Sequence, residues 1–341
     1  MVTTMRDIAK VAGVSQSTVS RVLNDAPTSV PIAAATRARV MQAAEELSYR
    51  PNPLARGLRG APTMLMGAVV RDFSDPFFAG AIEALAVEAM SHGYNIVLGH
   101  AQGRLDEGIA LSTVLETRHT DSVVLLGDMQ DQPRLLDDLR RSTVPVVAMW
   151  QGSSPLEFPT AEPDDRAGIR AGLSHVVDLG HRRIAFVSAH LQGDFRQREE
   201  AYIEFMDEHF GGVPEGYLQR CENTLAGGEE ALRALFELPD PPTAVCTSTD
   251  LVAIGALHAA HVIGTEVPGR LSVVGFDDIL IAAHTVPALT TLRMPIAAMV
   301  REAVGTAVTL ARDPVRPRPE PTKIVFEPTL IVRESTGPPP G

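Results

Sequence analysis

Cysteine and long apolar runs are scarce in this sequence of 341 residues. The two cysteines, Cys221 and Cys246, have neither metal-binding nor redox spacing, which is typical of a protein from a reduced compartment. No apolar run approaches the length of a membrane span. The first residues lack the basic start, apolar run and cleavage site of a secretory signal. We therefore expect a cytoplasmic protein, associated with the nucleoid, that has no membrane contact.

Signatures of catalysis are also missing. The sequence has no phosphate-binding loop, nucleophile elbow or metal-binding cluster. His258 and His261 lie three residues apart on a predicted helix, a spacing more typical of a solvated face than of a metal site. Asp277 and Asp278 are adjacent near a strand end, where neighbouring side chains point apart and do not share a proton. The sequence therefore predicts no enzyme, no cofactor and no metal.

Charge is unevenly distributed along the chain. The net charge is −12, yet residues 1–60 carry eight basic and four acidic residues, so this end is at +4 and the remainder at −16. A basic end on an acidic body is expected where one small region contacts nucleic-acid phosphates. The basic residues of this end are Arg6, Lys10, Arg21, Arg37, Arg39, Arg50, Arg56 and Arg59.

Three short helices are predicted in the basic end. Apolar residues of residues 5–12 share one helical face, Gly13 ends that helix, and Ser15 is a natural N-cap for a second helix that runs to about Asn24. A third helix covers about residues 34–47. Residues 51–60, framed by prolines and a glycine, are long enough for only two helical turns, and such a helix is marginal by itself. We expect it to be ordered only when something holds it.

The rest of the chain alternates apolar strand-like runs with helical stretches, in two successive series. Such alternation predicts parallel sheets covered by helices, here in two similar lobes. Ligands of these folds bind at the carboxyl ends of the strands, so the cleft between the lobes is the expected pocket. The helical stretches are at residues 79–90, 108–117, 167–180, 199–209, 228–236 and 251–262.

The sequence resembles the lactose-repressor, or LacI-type, family over nearly its whole length. The basic end reads DIAKVAGVS at residues 7–15, STVSRVLN at 17–24 and YRPN at 49–52. The body adds DPFF at 75–78, LGH at 179–181, SVVGFDD at 272–278 and LTTL at 289–292. The resemblance implies a DNA-binding transcriptional regulator that acts as a repressor. A solute-binding protein, which shares the body, would lack the basic end.

The resemblance also implies an α/β architecture with an N-terminal helix-turn-helix head and a two-lobed body like a periplasmic binding protein. The head would span residues 1–50, a hinge helix 51–61, the effector-binding and dimerisation body 62–333, and a flexible tail 334–341. The first lobe would take about 62–160 and 291–320. The second would take about 161–290 and 321–333, including a last strand at 323–332, with three crossings between the lobes. The expected assembly is a homodimer, because no heptad tail of the tetramer-forming members follows.

DNA contacts are implied by the same resemblance, with a palindromic operator that has a central C·G step. Gln16, Ser17 and Arg21 match positions used against bases, where Gln suits adenine and Arg suits guanine. Ser15, which is also the N-cap, and other short polar residues suit phosphates. Leu58 matches a leucine that wedges into the minor groove. The full set is Ser15, Gln16, Ser17, Thr18, Ser20, Arg21, Asn24, Asn52, Ala55 and Leu58. The loop before the third helix is about two residues longer than usual.

Effector contacts are implied for Arg198, which matches an arginine that clasps hydroxyls or a carboxylate, and for Asp277, which accepts from ligand hydroxyls. Turn capping is the alternative for Asp277, and Asp278 is expected to be that cap. The full set is Asp75, Phe77, Phe78, Asp128, Trp150, Gln192, Asp194, Arg198, Asn223, Thr249 and Asp277. Either phenylalanine could be core instead, and Trp150 could be a stacking platform or a filler between the lobes.

A sugar or sugar derivative is the predicted effector. Abundant carboxylates with one arginine suit a polyhydroxyl ligand, and Asn223 stands where several family members carry an aromatic platform, which weakens the case for a purine. The alternatives are a purine or another non-sugar metabolite, or a protein partner. Whether the effector induces or corepresses is open, because a ligand favours whichever state it binds better.

Overall fold

Two compact units, Met1–Thr63 and Met64–Gly341, make up the computed structural model. It describes residues 3–23, 31–49, 62–101, 120–130, 132–150, 157–189, 193–313 and 320–340. The predicted helix at 108–117 lies outside these ranges. None of the described helices is long and apolar enough to cross a membrane.

The described residues of the first unit, the head, form three helices: α1 (Met5–Ala12), α2 (Gln16–Leu23) and α3 (Ala34–Glu46). Ile8, Val19 and Val40, one from each helix, are fully buried in a common small core. Gly13 has φ of 65°, a left-handed conformation that ends α1 without the strain a side chain would bring. The predicted helix-turn-helix is therefore confirmed.

The second unit, the body, contains twelve described strands and seven α-helices. The strands are β1 (Leu65–Val70), β2 (Asn95–His100), β3 (Ser122–Leu126), β4 (Val146–Met149), β5 (Thr160–Pro163), β6 (Ile184–Ala189), β7 (Leu218–Cys221), β8 (Ala244–Thr247), β9 (Ser272–Asp277), β10 (Thr290–Arg293), β11 (Lys323–Phe326) and β12 (Thr329–Ile331). The helices are α4 (Pro76–Ser91), α5 (Pro133–Arg141), α6 (Asp165–Asp178), α7 (Gly193–Phe210), α8 (Leu225–Phe236), α9 (Asp250–Val262) and α10 (Ile296–Arg312), and a short 3-10 helix spans Leu280–His284.

These strands form two six-stranded sheets, one in each lobe. The order is β11-β5-β4-β3-β1-β2 in the first lobe and β12-β10-β9-β8-β6-β7 in the second. All the pairs are parallel except β10 with β12. Central strands such as β3 and β6 are buried at every residue, as expected of parallel sheets covered on both faces. The predicted two-lobed α/β class is confirmed.

Between the described strands and helices of the body, the chain crosses from one lobe to the other three times, and the crossings correct the predicted limits. They fall after Pro163, after Arg293 and between Phe326 and Thr329. The prediction of one last strand at 323–332 in the second lobe is wrong, because β11 pairs with β5 and β12 pairs with β10. Likewise, β5 extends the first lobe past its predicted limit at residue 160, and β10 extends the second lobe past its predicted limit at residue 290. Hydrogen-bond partners, which the sequence pattern does not reveal, decide these limits.

The C-terminal segment is packed against the body, so the prediction of a flexible tail at 334–341 is wrong for residues 334–340. Ser335 is fully buried. Its Oγ donates to the Val273 carbonyl at 2.6 Å, and its own carbonyl accepts from the Val273 N–H at 2.8 Å. His181 Nε2 lies 2.8 Å from the Gly337 carbonyl oxygen. Hydrogen bonds to β9 and to His181 thus fix this C-terminal strap (residues 334–340) despite its prolines.

Candidate functional site

The head presents one polar face of α2. Val19 and Val22 are buried, whereas Gln16, Ser17 and Arg21 are exposed. This side-chain arrangement follows from the helical repeat, which puts the two apolar residues on the side facing the core. A recognition helix needs such a free polar face to reach base edges.

Ser15 organises the start of α2. Its Oγ accepts from the Thr18 N–H at 3.1 Å and lies 2.7 Å from Ser17 Oγ and 2.8 Å from Thr18 Oγ1. Ser15 is therefore the predicted N-cap, and the three hydroxyls cluster beside the exposed face. Ser20 is half-buried. Asn24, Asn52, Ala55 and Leu58 lie outside the described residues, so their DNA contacts stay predictions.

The body holds a small cavity between its lobes, at the carboxyl ends of strands from both sheets. Its volume is about 20 Å³, room for about one water molecule. Eight of the predicted effector residues line it: Asp75, Phe77, Phe78, Trp150, Asp194, Arg198, Thr249 and Asp277. Asp128 and Asn223 do not line it, and Gln192 lies outside the described residues. Arg71, Gly127 and Phe195 line it although the sequence interpretation missed them.

Arg198 is the fully buried cation of this site. Its Nε donates to Asp165 Oδ1 at 2.7 Å, its Nη1 donates to the Ser248 carbonyl at 2.5 Å, and Nη1 lies 3.6 Å from Asp277 Oδ1. The guanidinium also lies 3.8 Å from the centre of the Phe276 ring. Arg198 is therefore held by the protein itself, and Asp165, buried beneath it, is a partner that the sequence interpretation did not identify.

Asp277 stands at the end of β9 in an unusual backbone conformation, with φ of 123°, and Asp278 follows with φ of 57°. Asp250 supports this turn, because its carboxylate accepts from the Ile279 N–H at 2.8 Å and from the Thr291 hydroxyl. Burial raises the pKa of Asp250 to about 7. The prediction that Asp278 caps the turn is wrong, since its oxygens accept from Arg293 Nε and Arg333 Nη2, each at 2.6 Å.

Aromatic rings form one wall of the cavity. Phe77 lies edge-on to both Phe78 and Trp150, with ring centres 5.3 and 5.1 Å apart. Within the described part of the chain, Trp150 Nε1 and Asp194 Oδ1 are buried and make no hydrogen bond, although Asp194 Oδ1 lies 3.9 Å from Arg71 Nη1. Buried polar atoms are nearly always satisfied, so this donor and this acceptor mark places where a ligand can bond.

Two hydrogen bonds join the lobes beside the cavity, in addition to the ion pair between Arg71 and Asp194. Asn223 Nδ2 donates to Asp75 Oδ2 at 2.9 Å, and Asn223 Oδ1 accepts from the Thr249 hydroxyl at 2.8 Å. Elsewhere at the edge of the cavity, Asp128 Oδ2 accepts a hydrogen bond at 2.8 Å from the N–H of Gly193, which is the first residue of α7. Burial raises the pKa of Asp128 to about 6 and also raises the pKa of Asp75. These predicted effector residues therefore contact the opposite lobe.

Comparisons with known proteins agree with this architecture. A family model described as bacterial regulatory proteins, lacI family, matches residues 4–52, and a periplasmic binding protein-like domain model matches residues 173–336. The chain is 34% identical over 338 residues to the HTH-type transcriptional regulator GalR of Salmonella typhimurium, covering 98% of this chain and 96% of GalR.

Two solved structures are similar over nearly the whole chain. A complex of the transcriptional regulator CelR with cellobiose has a TM-score of 0.71 and 28% identity, covering 98% of this chain and 99% of CelR. A lac repressor dimer bound to operator has a TM-score of 0.85 and 24% identity, covering 99% of this chain and 100% of that chain. The second likeness supports the fold alone.

Proposed function

The chain belongs to the lacI family of bacterial regulatory proteins, which makes it a DNA-binding transcriptional regulator, and we propose that it is a repressor controlled by a sugar or sugar derivative. The head supplies DNA recognition through α2. The body supplies the effector site in the cavity between its lobes. Effector binding shifts the balance between lobe arrangements, and operator affinity follows the arrangement that the effector prefers.

DNA reading is assigned to the exposed face of α2. Gln16 and Arg21 carry the planar groups that suit bidentate contacts to adenine and guanine in the major groove. Ser15 and the hydroxyls beside it suit phosphates, which position the head without reading sequence. The proposed wedge by Leu58 and the contacts of Asn52 and Ala55 complete the set in the hinge.

The DNA test uses a palindromic site selected by the wild-type protein from random DNA. We expect Arg21→Ala and Gln16→Ala each to weaken binding to that site about 5- to 150-fold, the effect of losing a bidentate base contact worth about 1–3 kcal/mol. Fluorescence anisotropy at fixed salt measures the affinity. Arg39→Ala, which removes an exposed arginine of α3, is the matched control. If both α2 variants bind like the control, α2 does not read the bases.

A hydroxyl-rich effector is supported chiefly by the unbonded pair in the cavity. Trp150 Nε1 can only donate a hydrogen bond and Asp194 Oδ1 can only accept one while it is ionised. A hydroxyl group can both donate and accept a hydrogen bond. The hydroxyls of one sugar ring can therefore bond to Trp150 Nε1 and to Asp194 Oδ1 at the same time. Aromatic faces and carboxylates around the same cavity suit the apolar and polar sides of a sugar. CelR, a relative, is known in complex with cellobiose.

The effector test is a calorimetric panel of neutral sugars, anionic sugars and nucleosides. We expect a neutral sugar to bind, and Asp194→Asn to weaken that binding about tenfold or more, since hydrogen bonds to charged groups contribute about 1.5–3 kcal/mol. Asp207→Asn, an exposed aspartate on the same helix α7, is the control and should bind like wild type. Binding of a nucleoside but of no sugar contradicts the proposal, and so does equal binding by both variants.

A further inference from the structure

Asn223 connects the two lobes at the boundary of the effector cavity. Its two partners, Asp75 from the first lobe and Thr249 from the second, both line the cavity, whereas Asn223 itself does not and is partly exposed. We propose that Asn223 is a clasp residue that controls admission of the effector, because its bond to Asp75 must break before the lobes separate. The assignment of the ligand rests on the proposed function, but the clasp itself does not.

Within the second lobe, Asn223 is held firmly. Thr249 Oγ1 donates to Asn223 and accepts from the Val252 N–H at 3.3 Å, so it caps α9 at the same time. The first turns of α8 and α9 are locked by close packing, since a Cβ on Gly255 would lie only 2.0 Å from the Leu225 carbonyl oxygen. The Asn223 side chain is therefore already oriented before it reaches across the cleft.

Within the first lobe, Asp75 is also fixed. Its Oδ1 accepts from the Phe77 N–H at 2.9 Å and caps α4, which leaves Oδ2 to accept from Asn223. Because both ends are oriented by helix caps, closing the clasp costs little side-chain entropy. The variable contact is the 2.9 Å bond between the lobes.

The size of the cavity makes this bond a barrier to entry. A volume of about 20 Å³ holds about one water molecule, so even a single sugar ring requires the walls to move apart. The walls belong to different lobes, and Asn223 ties them together at Asp75. Asp128 ties them at Gly193, so we expect loss of Asn223 to loosen the closed arrangement without abolishing it.

The test uses the single tryptophan of the chain, Trp150, which is 3% exposed in the cavity wall. Acrylamide quenching of its fluorescence reports how often the cavity opens and needs no effector. We expect Asn223→Ala to raise the quenching constant at least twofold over wild type. Asn223→Asp, which removes the donor and sets a second carboxylate beside Asp75, should raise it further. Asn95→Ala, an exposed asparagine of β2, should leave it unchanged.

Circular dichroism confirms the fold of each variant, and Asn223→Asp carries the test if Asn223→Ala fails to fold. If acrylamide quenches Trp150 in both Asn223 variants no more than in wild type, the clasp is overturned. Stopped-flow mixing with a sugar from the calorimetric panel then tests admission, and Asn223→Ala should bind about tenfold faster. An unchanged association rate overturns the gating role. Raised quenching without binding of any sugar instead supports the clasp and removes the proposed effector class.

Discussion

Arg198 shows that a residue predicted to contact the effector can also have a structural role that the sequence does not reveal. Its motif implies an effector contact, yet in the structure its Nε and Nη1 are bonded to Asp165 and the Ser248 carbonyl, with Asp277 nearby. Burial raises the pKa of Asp165 to about 6 and the pKa of Asp277 well above its usual value, even with the guanidinium between them. Arg198 therefore supplies the positive charge that lowers the cost of burying these two carboxyl groups, before any effector binds.

Removing this cation should destabilise the body strongly. We expect Arg198→Ala to lower the free energy of unfolding by about 3–5 kcal/mol, because it leaves buried carboxyl groups without a counter-charge. Urea denaturation followed by circular dichroism measures the change. Arg170→Ala breaks the exposed ion pair with Glu208 and removes a guanidinium that lies 5.6 Å from the centre of the Phe205 ring, and it should cost much less stability. Equal losses in the two variants would show that Arg198 has no structural role.

Contacts between the lobes are the part of the site that the sequence did not reveal. Arg71 directly follows the apolar strand β1, but it becomes a site residue only because Asp194 of the other lobe lies over it, 3.9 Å away. Asp277 was predictable because it ends a strand inside a long motif. Asn223 was placed near the site, but its bond to Asp75 joins residues 148 positions apart, and no local pattern encodes such a contact.

At the scale of elements, the sequence pattern predicted most of the described helices and strands but missed α5 (Pro133–Arg141), and it did not reveal which strands pair at the C-terminal end. The strands β11 and β12 are four and three residues long and follow each other closely, so they read as one apolar run. The C-terminal strap has the composition of a tail, yet Ser335 and Gly337 bond to β9 and to His181. Composition predicts the conformation that a segment prefers in isolation. Its hydrogen bonds to the rest of the fold decide whether it packs against the body.

His181, whose Nε2 lies against the Gly337 carbonyl of the strap, should make the stability of the body depend on pH. Burial lowers the pKa of His181 below its ordinary value of 6.5, so the unfolded chain binds more protons. The contribution of His181 to stability is therefore present above pH 6.5 and is lost as the pH falls from there through the folded pKa, by up to about 1.4 kcal/mol per pH unit.

This dependence can be isolated by comparing variants, because buried carboxyl groups such as Asp250, whose pKa is raised by burial, act in the opposite direction. We expect wild type to lose stability relative to His181→Gln between pH 7.5 and pH 5.5, as measured by urea denaturation. His261→Gln, at an exposed position of α9, should follow wild type. If the difference in stability between wild type and His181→Gln is the same at both pH values, this role of His181 is contradicted.

At the scale of the whole molecule, charge and exposed apolar surface point to different partners. The basic first 60 residues suit DNA, and the acidic remainder disfavours nonspecific binding of the body to it. Among its described residues, the body also exposes large apolar side chains: Val87, Met90, Val97, Leu98, Leu280, Ile281 and Val286. Exposed apolar surface is available for an interface between proteins, and a palindromic operator requires two copies of the head.

Leu280 offers the sharpest test of a homodimer, because it is 86% exposed on the 3-10 helix and contributes little to the fold of one chain. We expect wild type to sediment as a dimer and Leu280→Asp to shift toward monomer, since a buried charge at an apolar interface is costly. Val325 lies on β11, which forms one edge of the first sheet, whereas β2 forms the opposite edge. The variant Val325→Asp should therefore remain dimeric. The monomeric variant should also lose affinity for the palindrome while binding a single half-site like wild type. A dimer that tolerates Asp at position 280 would place the interface away from the 3-10 helix.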